Sequence, residues 1–348
     1  RTVVFDHYFV DHNASKEKIM RIGVFCSGGD APGMNACIRA VVRSAIAAGH
    51  DVVGIRRGYQ GLLNEDFYIN ADGEPLMKLR SVSNLAKFGG TVLHTSRSDE
   101  FRTDAGQKKA AAILQKHRID ALIPIGGDGT FHGALALSRF YQGQIVGCPG
   151  TIDNDLLGTD YTIGFATAVN TAVEALDRLR DTAESHERMF LVEVMGRHSG
   201  YIGLYTALAG GAEVAAIPET PTDTGQIIRH LQLLKARGKT SIMIVVAEGD
   251  EAGGAAILNE NLKKAGCPFQ TRVITLGHLQ RGGTPVPDDR ILAARLGDFA
   301  VRSVLDGHTG VMAGLIHGEL VLTPFVDTFA HHKPVPEPLL ELLETLAN

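Results

Sequence analysis

Two short stretches hold the residues best suited to chemistry. Gly126-Gly127-Asp128-Gly129-Thr130 closes the apolar run Ala121 to Ile125 and supplies backbone N–H groups, one hydroxyl and one carboxylate. Glycines around an aspartate in such a turn suit a Mg²⁺–triphosphate, with Asp128 reaching the metal directly or through water. A helix-capping aspartate is the plainer reading of the same pattern. Thr151-Ile152-Asp153-Asn154-Asp155 follows a second apolar run, Gln144 to Cys148. If this segment is extended, residues 151, 153 and 155 share a face and two carboxylates converge. Like charges so close raise one pKa or demand a cation, an arrangement that suits a general base beside a cationic site. Two aspartates in a solvated turn are the alternative. Cations are available: Arg188, Arg197, Arg272, His278 and Arg281 all lie at ends or starts of apolar runs. The guanidinium fork donates paired hydrogen bonds at a geometry that matches phosphate.

The elements around these residues must place them at one edge. Ile22 to Cys26 is an apolar run ending in Ser27-Gly28-Gly29-Asp30-Ala31-Pro32-Gly33, and helix-period residues follow from Ala36 to Ile46. Strand, glycine turn and helix in that order let a backbone approach a phosphate and offer it free N–H groups. The turn matches neither the dinucleotide fingerprint nor the P-loop. Further strands are expected over 52–55, 190–194, 213–217, 241–247, 272–276 and 311–316. Helices are expected over 104–117, 164–187, 225–236, 288–304 and 339–346. The strands are continuously apolar and alternate with helices, the signature of parallel sheets covered on both faces. The fold class is therefore α/β. The length suits two domains. A division in the 140s and a return near the C-terminus give a larger body over 20–155 plus about 270–320. A smaller body takes about 156–269 plus the C-terminal segment. Gly238-Lys239-Thr240 imitates the end of a P-loop, but Leu233 stands where the motif needs glycine, and the order of elements is reversed.

Composition narrows the partners. A net charge of −5 provides no field to attract nucleic acid or an anionic membrane, so phosphate binding must rest on arginines gathered locally. Cys26, Cys37, Cys148 and Cys267 have no CxxC spacing, and Cys26 and Cys148 sit inside apolar runs as buried, reduced thiols would, which fits a reducing cytoplasm. No run of 18 or more apolar residues is present. Residues 1–19 lack the pattern of a signal peptide and read as an extension ahead of Met20.

Together the stretches GVFCSGGDAPGMNA, PIGGDGT, PGTIDNDLLGTDYTIGFATA, RLRDTAESHER, VEVMGRHSGYIG and LGHLQRGGTPVPDDRILA resemble the bacterial type of ATP-dependent 6-phosphofructokinases. GGDGT also resembles NAD kinases and lipid kinases, whereas TIDND, MGR and GHLQRGG in this order are specific. The resemblance spans residues 21 to about 320. It implies two Rossmann-like three-layer domains and transfer of the γ-phosphoryl of ATP to the 1-hydroxyl of fructose 6-phosphate. Asp153 matches the general base, and Asp128 the residue serving Mg²⁺. Gly29, Tyr59, Arg97, Ser98, Gly127, Asp128, Gly129 and Thr130 match the nucleotide site. Gly29, Arg97, Thr151 and Arg197 join Asp153 in the catalytic set, the two arginines offsetting charge on the transferring group. Thr151, Ile152, Met195, Gly196, Arg197 and Glu248 match the sugar site. Arg188, Arg272, His278, Leu279, Gln280 and Arg281 match the surroundings of the 6-phosphate. In the family Arg188 and Arg272 reach in from a neighbouring subunit, so the resemblance implies a homo-oligomer, usually a tetramer.

The rival donor is pyrophosphate. Enzymes of that class place Asp where Gly129 stands and Lys where Gly150 stands, so this sequence resembles the ATP-dependent class. A regulatory subunit without activity is the other alternative, and Asp128, Asp153 and Arg197 speak against it. Arg39, Arg43, Arg180, Gly211, Glu213, Arg237 and Lys239 match an effector site that takes ADP or phosphoenolpyruvate in bacterial relatives. Three departures stand in that site. The arginine expected near Leu79 is absent, although Arg80 is adjacent, Phe88 stands where a basic residue is expected, and Ser241 replaces a histidine.

Overall fold

The computed structural model describes residues 19–347, so the extension expected over 1–19 lies, except for its last residue, outside the described residues. The chain begins with β1 (Arg21–Ser27), α1 (Met34–Ala47), β2 (Asp51–Gly54), α2 (Gly58–Leu63) and α3 (Asp104–Lys116). It continues through β3 (Ala121–Gly126), α4 (Asp128–Leu137), β4 (Gln144–Pro149) and the long α5 (Phe165–His186). Next come β5 (Arg188–Val194), α6 (Tyr201–Gly210), β6 (Val214–Ala216), α7 (Thr224–Ala236), β7 (Ile242–Ala247), α8 (Gly254–Lys264) and β8 (Gln270–Thr275). It closes with α9 (Pro287–Leu305), the hairpin β9 (Val311–Ile316) and β10 (Glu319–Pro324), α10 (Phe325–Thr328) and α11 (Glu337–Leu346).

Two sheets organise these elements. The larger has the order β10-β9-β4-β3-β1-β2 and is parallel except for β10. The smaller has the order β6-β7-β5-β8 and is wholly parallel. Their central strands are buried along almost their whole length, which is why they read as apolar runs without alternation. α1 and α9 cross closely on one face of the larger sheet. A Cβ on Gly297 of α9 would lie 2.8 Å from Cβ of Ala40 and 2.9 Å from the Cys37 carbonyl, so this crossing needs glycine. From the start of α9, Asp289 accepts hydrogen bonds from the N–H groups of Gly164 and Thr167, both at 2.8 Å, and so caps α5.

The return to the larger sheet falls later than the expected 270. β8 hydrogen-bonds to β5 of the smaller sheet, and the chain rejoins the larger one with α9, β9 and β10. α8 and β10 were not among the expected elements. α8 starts on two glycines of positive φ, Gly253 at 87° and Gly254 at 80°, an opening that reads as loop. β10 is an edge strand with no buried residue, and its apolar run is only Leu320 to Leu322, too short to announce it.

Candidate active site

Both sheets expose topological switch points, where the connections leaving adjacent strands run to opposite edges and leave a crevice at the carboxyl ends. In the larger sheet the crevice lies between β1 and β3, and in the smaller between β5 and β7. A cleft of about 620 Å³ joins the two sides. Ser27, Gly28 and Gly29 after β1 and Gly127 to Thr130 after β3 form one wall, and Arg197, after β5, lies opposite. Gly150, Thr151, Asp153 and Asp155, after β4, also line it.

Gly127 caps α4 through its backbone and without a side-chain bond, so Asp128 is the first helical residue, not the capping aspartate. Its Oδ1 lies 2.7 Å from Nδ1 of His132, one turn later. Tyr59 holds the turn from below, its hydroxyl donating to the Thr130 carbonyl at 2.7 Å while its ring stacks on Phe101 at 3.9 Å. Ser98 donates to Gln60 at 2.8 Å, and Arg97 lines the cleft beside it. The nucleotide set read from the sequence is thus brought together.

The acidic stretch converges by a different route from the expected one. It is not extended: Asn154 adopts a left-handed conformation with φ 51°. The turn is tied inside, with the Asn154 side chain accepting from the Thr162 N–H at 3.0 Å and donating to the Asp160 carbonyl at 3.2 Å. Asp153 and Asp155 still both face the cleft. Asp153 is 3 % exposed, its Oδ1 has no hydrogen-bond partner, and its Oδ2 lies 3.7 Å from Nε of Arg197. Burial, reinforced by Asp155, pushes the Asp153 carboxyl up to about 6, while Arg281 and Arg197 pull against that rise. Asp155 is also raised, first by burial, and its Oδ1 too lacks a partner.

Stability should follow from this shift. A pKa raised from 3.8 to about 6 favours the neutral acid in the folded state. That contribution is intact below the unfolded value and disappears as pH rises through about 6. At pH 8 the buried charge therefore costs at most ~3 kcal/mol. Asp153→Asn is expected to melt higher than wild type at pH 8, with the gain shrinking as pH is lowered toward 4. Thermal melts across that range check this, and a variant less stable than wild type at pH 8 would contradict it.

Arg197 has φ 53° and its N–H donates to Glu248 at 2.9 Å, so the loops after β5 and β7 are tied together. Arg281 donates to the Asp30 carbonyl at 3.1 Å and lies so close to Gly29 that a Cβ there would be 2.5 Å from its Nη1. It therefore joins the cleft itself. Arg188, Arg272 and His278 do not line the cleft. Arg188 opens β5, six residues before Val194, which places it roughly 20 Å from the strand's carboxyl end. Leu279 is 71 % exposed, and Met195 and Ile152 are buried.

Gln280, expected at the sugar phosphate, does not line the cleft. It is fully buried, its Oε1 accepting from the Met195 N–H at 2.8 Å and its Nε2 donating to the Ala168 carbonyl, so it is a structural amide with no surface for a substrate. Of the effector set, Arg180 donates to the carbonyls of Gly210 and Gly211, and Lys239 pairs with the buried Glu213. Arg39 and Arg43 lie on α1. Sequence reasoning missed His132, which flanks Asp128, and Lys333, which bonds Asn154 at 3.1 Å. Neither sits in a motif.

Glycine turns at a double switch point, a buried carboxylate and facing arginines define an α/β phosphotransferase with its site between two sheets. More particularly, the chain belongs to the phosphofructokinase family, whose model, described as Phosphofructokinase, matches residues 21–304. It is 54 % identical over 327 residues to the ATP-dependent 6-phosphofructokinase 1 of Thermus thermophilus, covering 94 % of this chain and 99 % of that one. It is 50 % identical to the ATP-dependent 6-phosphofructokinase of Cytophaga hutchinsonii, covering 94 % and 97 %. Among solved structures, Pichia pastoris phosphofructokinase in the T-state matches with a TM-score of 0.81 at 34 % identity, over 91 % of this chain and 36 % of that one. The pyrophosphate-dependent phosphofructokinase of Marinobacter aquaeolei matches with a TM-score of 0.80 at 22 % identity, over 94 % and 92 %, a likeness of fold.

Proposed function

We propose that this chain transfers the γ-phosphoryl group of ATP to the 1-hydroxyl of fructose 6-phosphate, with Asp153 as general base. The observation that carries this reading is the buried Asp153 carboxylate, with an unpartnered oxygen, between the glycine turn and Arg197. A carboxyl at about 6 is ionised at neutral pH yet basic enough to take a hydroxyl proton as the bond to phosphorus forms. Arg197 and Arg97 stabilise charge on the transferring group, and the Gly127–Thr130 turn and Gly29 offer backbone N–H groups to the phosphates. An aldolase-coupled assay with fructose 6-phosphate tests the reading. Turnover is expected with ATP and not with pyrophosphate; the reverse would overturn it.

The residues present fit Mg²⁺ held mainly by nucleotide and water. Asp128 and Asp155 contribute carboxylates at the cleft, while among the described residues no cluster of three or more acidic, His or Cys side chains could hold a metal alone. That suits an ion that keeps several waters and binds through one or two carboxylates plus phosphates. When bound it would neutralise phosphate charge.

Arg188 and Arg272 are assigned to the cleft of a neighbouring subunit, as binders of the 6-phosphate in a homo-oligomer, a tetramer in our reading. Their absence from the cleft of their own chain supports this. Dissociation to monomers is expected to abolish sugar-phosphate binding, measured by calorimetry beside sedimentation; an active monomer would contradict it. ADP or phosphoenolpyruvate at the Arg180–Gly211 and Glu213–Lys239 cluster is proposed as effector, and saturation curves with each would show a shift. No described helix is long and apolar enough to cross a membrane. Cytoplasmic action is part of this proposal.

A further inference from the structure

Residues 325–335 form a strap joining parts of the site that are distant in sequence. Phe325 stacks on Phe131 at 5.1 Å, and Phe329 stacks on His132, the neighbour of Asp128, at 3.6 Å. The Thr328 carbonyl accepts from the Leu157 N–H at 3.0 Å, just beyond the acidic turn. Lys333 then donates to Oδ1 of Asn154 at 3.1 Å and to the Asp160 carbonyl at 2.8 Å, its ammonium 4.8 Å from the centre of the Tyr201 ring. The Tyr201 hydroxyl in turn donates to the Pro334 carbonyl at 2.9 Å.

We propose that Lys333 is a positioning residue for phosphoryl transfer: it locks the left-handed Asn154 turn and so keeps Asp153 and Asp155 aimed into the cleft. Asn154 has no exposed surface, and its Oδ1 is shared between Lys333 and the Thr162 N–H, so that oxygen has two anchors, one from the strap. Asp160 and Asp155 face the ammonium from the turn side and Tyr201 from α6, while His332 of the strap acts on Asp155. Burial pushes the Lys333 ammonium down to about 8, against the pull of Asp160 and Asp155. A lysine held in such a place at that cost has its use in what it orients. Lys333 touches the backbone and amide of the turn, never the cleft, so its effect on the reaction passes through Asn154.

The proposal rests on the phosphotransfer reading, which the wild-type turnover in the same assay reports on separately. A displacement of about 1 Å at a reacting group can cost about 10²-fold. Lys333→Met, which keeps the stem against Tyr201, is expected to lower kcat by ~10–100-fold. The KM values for ATP and fructose 6-phosphate should stay within about twofold, because misaiming Asp153 weakens the transition state and not ground-state binding. Lys333→Arg should recover most of kcat. In an Asn154→Gly background, where glycine holds the left-handed turn without the amide, adding Lys333→Met should cost little further. Should Lys333→Met fold poorly, Lys333→Gln in the same pair of backgrounds reads the same coupling. A kcat unchanged by Lys333→Met, or a loss undiminished in the Asn154→Gly background, would overturn the proposal.

Discussion

Asp153→Ser is expected to lower kcat by about 10²–10⁴-fold, the span that general-base catalysis contributes. The KM for fructose 6-phosphate should change far less, because the loss falls on an interaction made as the proton leaves the hydroxyl. The geometry supports the split. Asp153 is 3 % exposed, and one of its oxygens lacks a partner in the protein, so that oxygen is free to receive a proton. Misfolding would not explain the result, since removing a carboxylate that burial holds near 6 relieves a cost at pH 8. The wild-type kcat/KM for fructose 6-phosphate should therefore fall on an acid limb near pH 6 as Asp153 of the free enzyme takes up a proton, and the limb should vanish in the variant. Rapid-quench and steady-state rates across pH 5 to 8.5 measure both. A variant that keeps more than a tenth of the wild-type kcat would refute the role of base.

How far the sequence disclosed this site depended on how local each part is. The glycine turns after β1 and β3 were legible because an apolar run, a glycine cluster and a helix period lie within some fifteen residues of one another. The convergence of Asp153 and Asp155 was legible in outcome but not in route. Alternation in an extended segment was expected, whereas the structure uses one left-handed asparagine tied to Thr162 and Asp160. Asparagine tolerates that conformation because its side chain can bond locally. Gln280 sits in a specific motif yet serves the interior, since a motif fixes residue order but not whether a side chain faces a ligand or the core. Lys333 could not be found by spacing: its partners lie 173 and 179 residues earlier, and a lone lysine in a loop reads as solvated. The position of β8 shows the same weakness. Its exposed residues around Arg272 weaken the apolar pattern, and only its pairing with β5 assigns it to the smaller sheet.

The choice of phosphoryl donor should turn on Gly129, and Gly129→Asp is expected to cut kcat/KM for ATP by about 10²-fold or more. A Cβ built at Gly129 meets no atom within 4 Å, and the residue lines the cleft, so an added side chain occupies space otherwise open to a ligand. An aspartate there also sets a second carboxylate beside Asp128 and against the nucleotide phosphates. Two like charges about 4 Å apart near a protein surface repel by roughly 4 kcal/mol, more than the ~2.7 kcal/mol that a hundredfold loss requires. The fold should not suffer, because Gly129 lies in the first turn of α4, where an acidic residue is favoured by the helix dipole. Gly150 would make a poorer test. A Cβ there would lie 2.9 Å from Cγ2 of Ile125 and 3.1 Å from Cε of Met34, so a lysine would disturb the core before it met any phosphate. Melting curves and ATP saturation kinetics on Gly129→Asp separate the two effects. An unchanged melting temperature with a collapsed kcat/KM for ATP is the expected pair. ATP turnover at the wild-type level would show that the open space at Gly129 does not govern the donor.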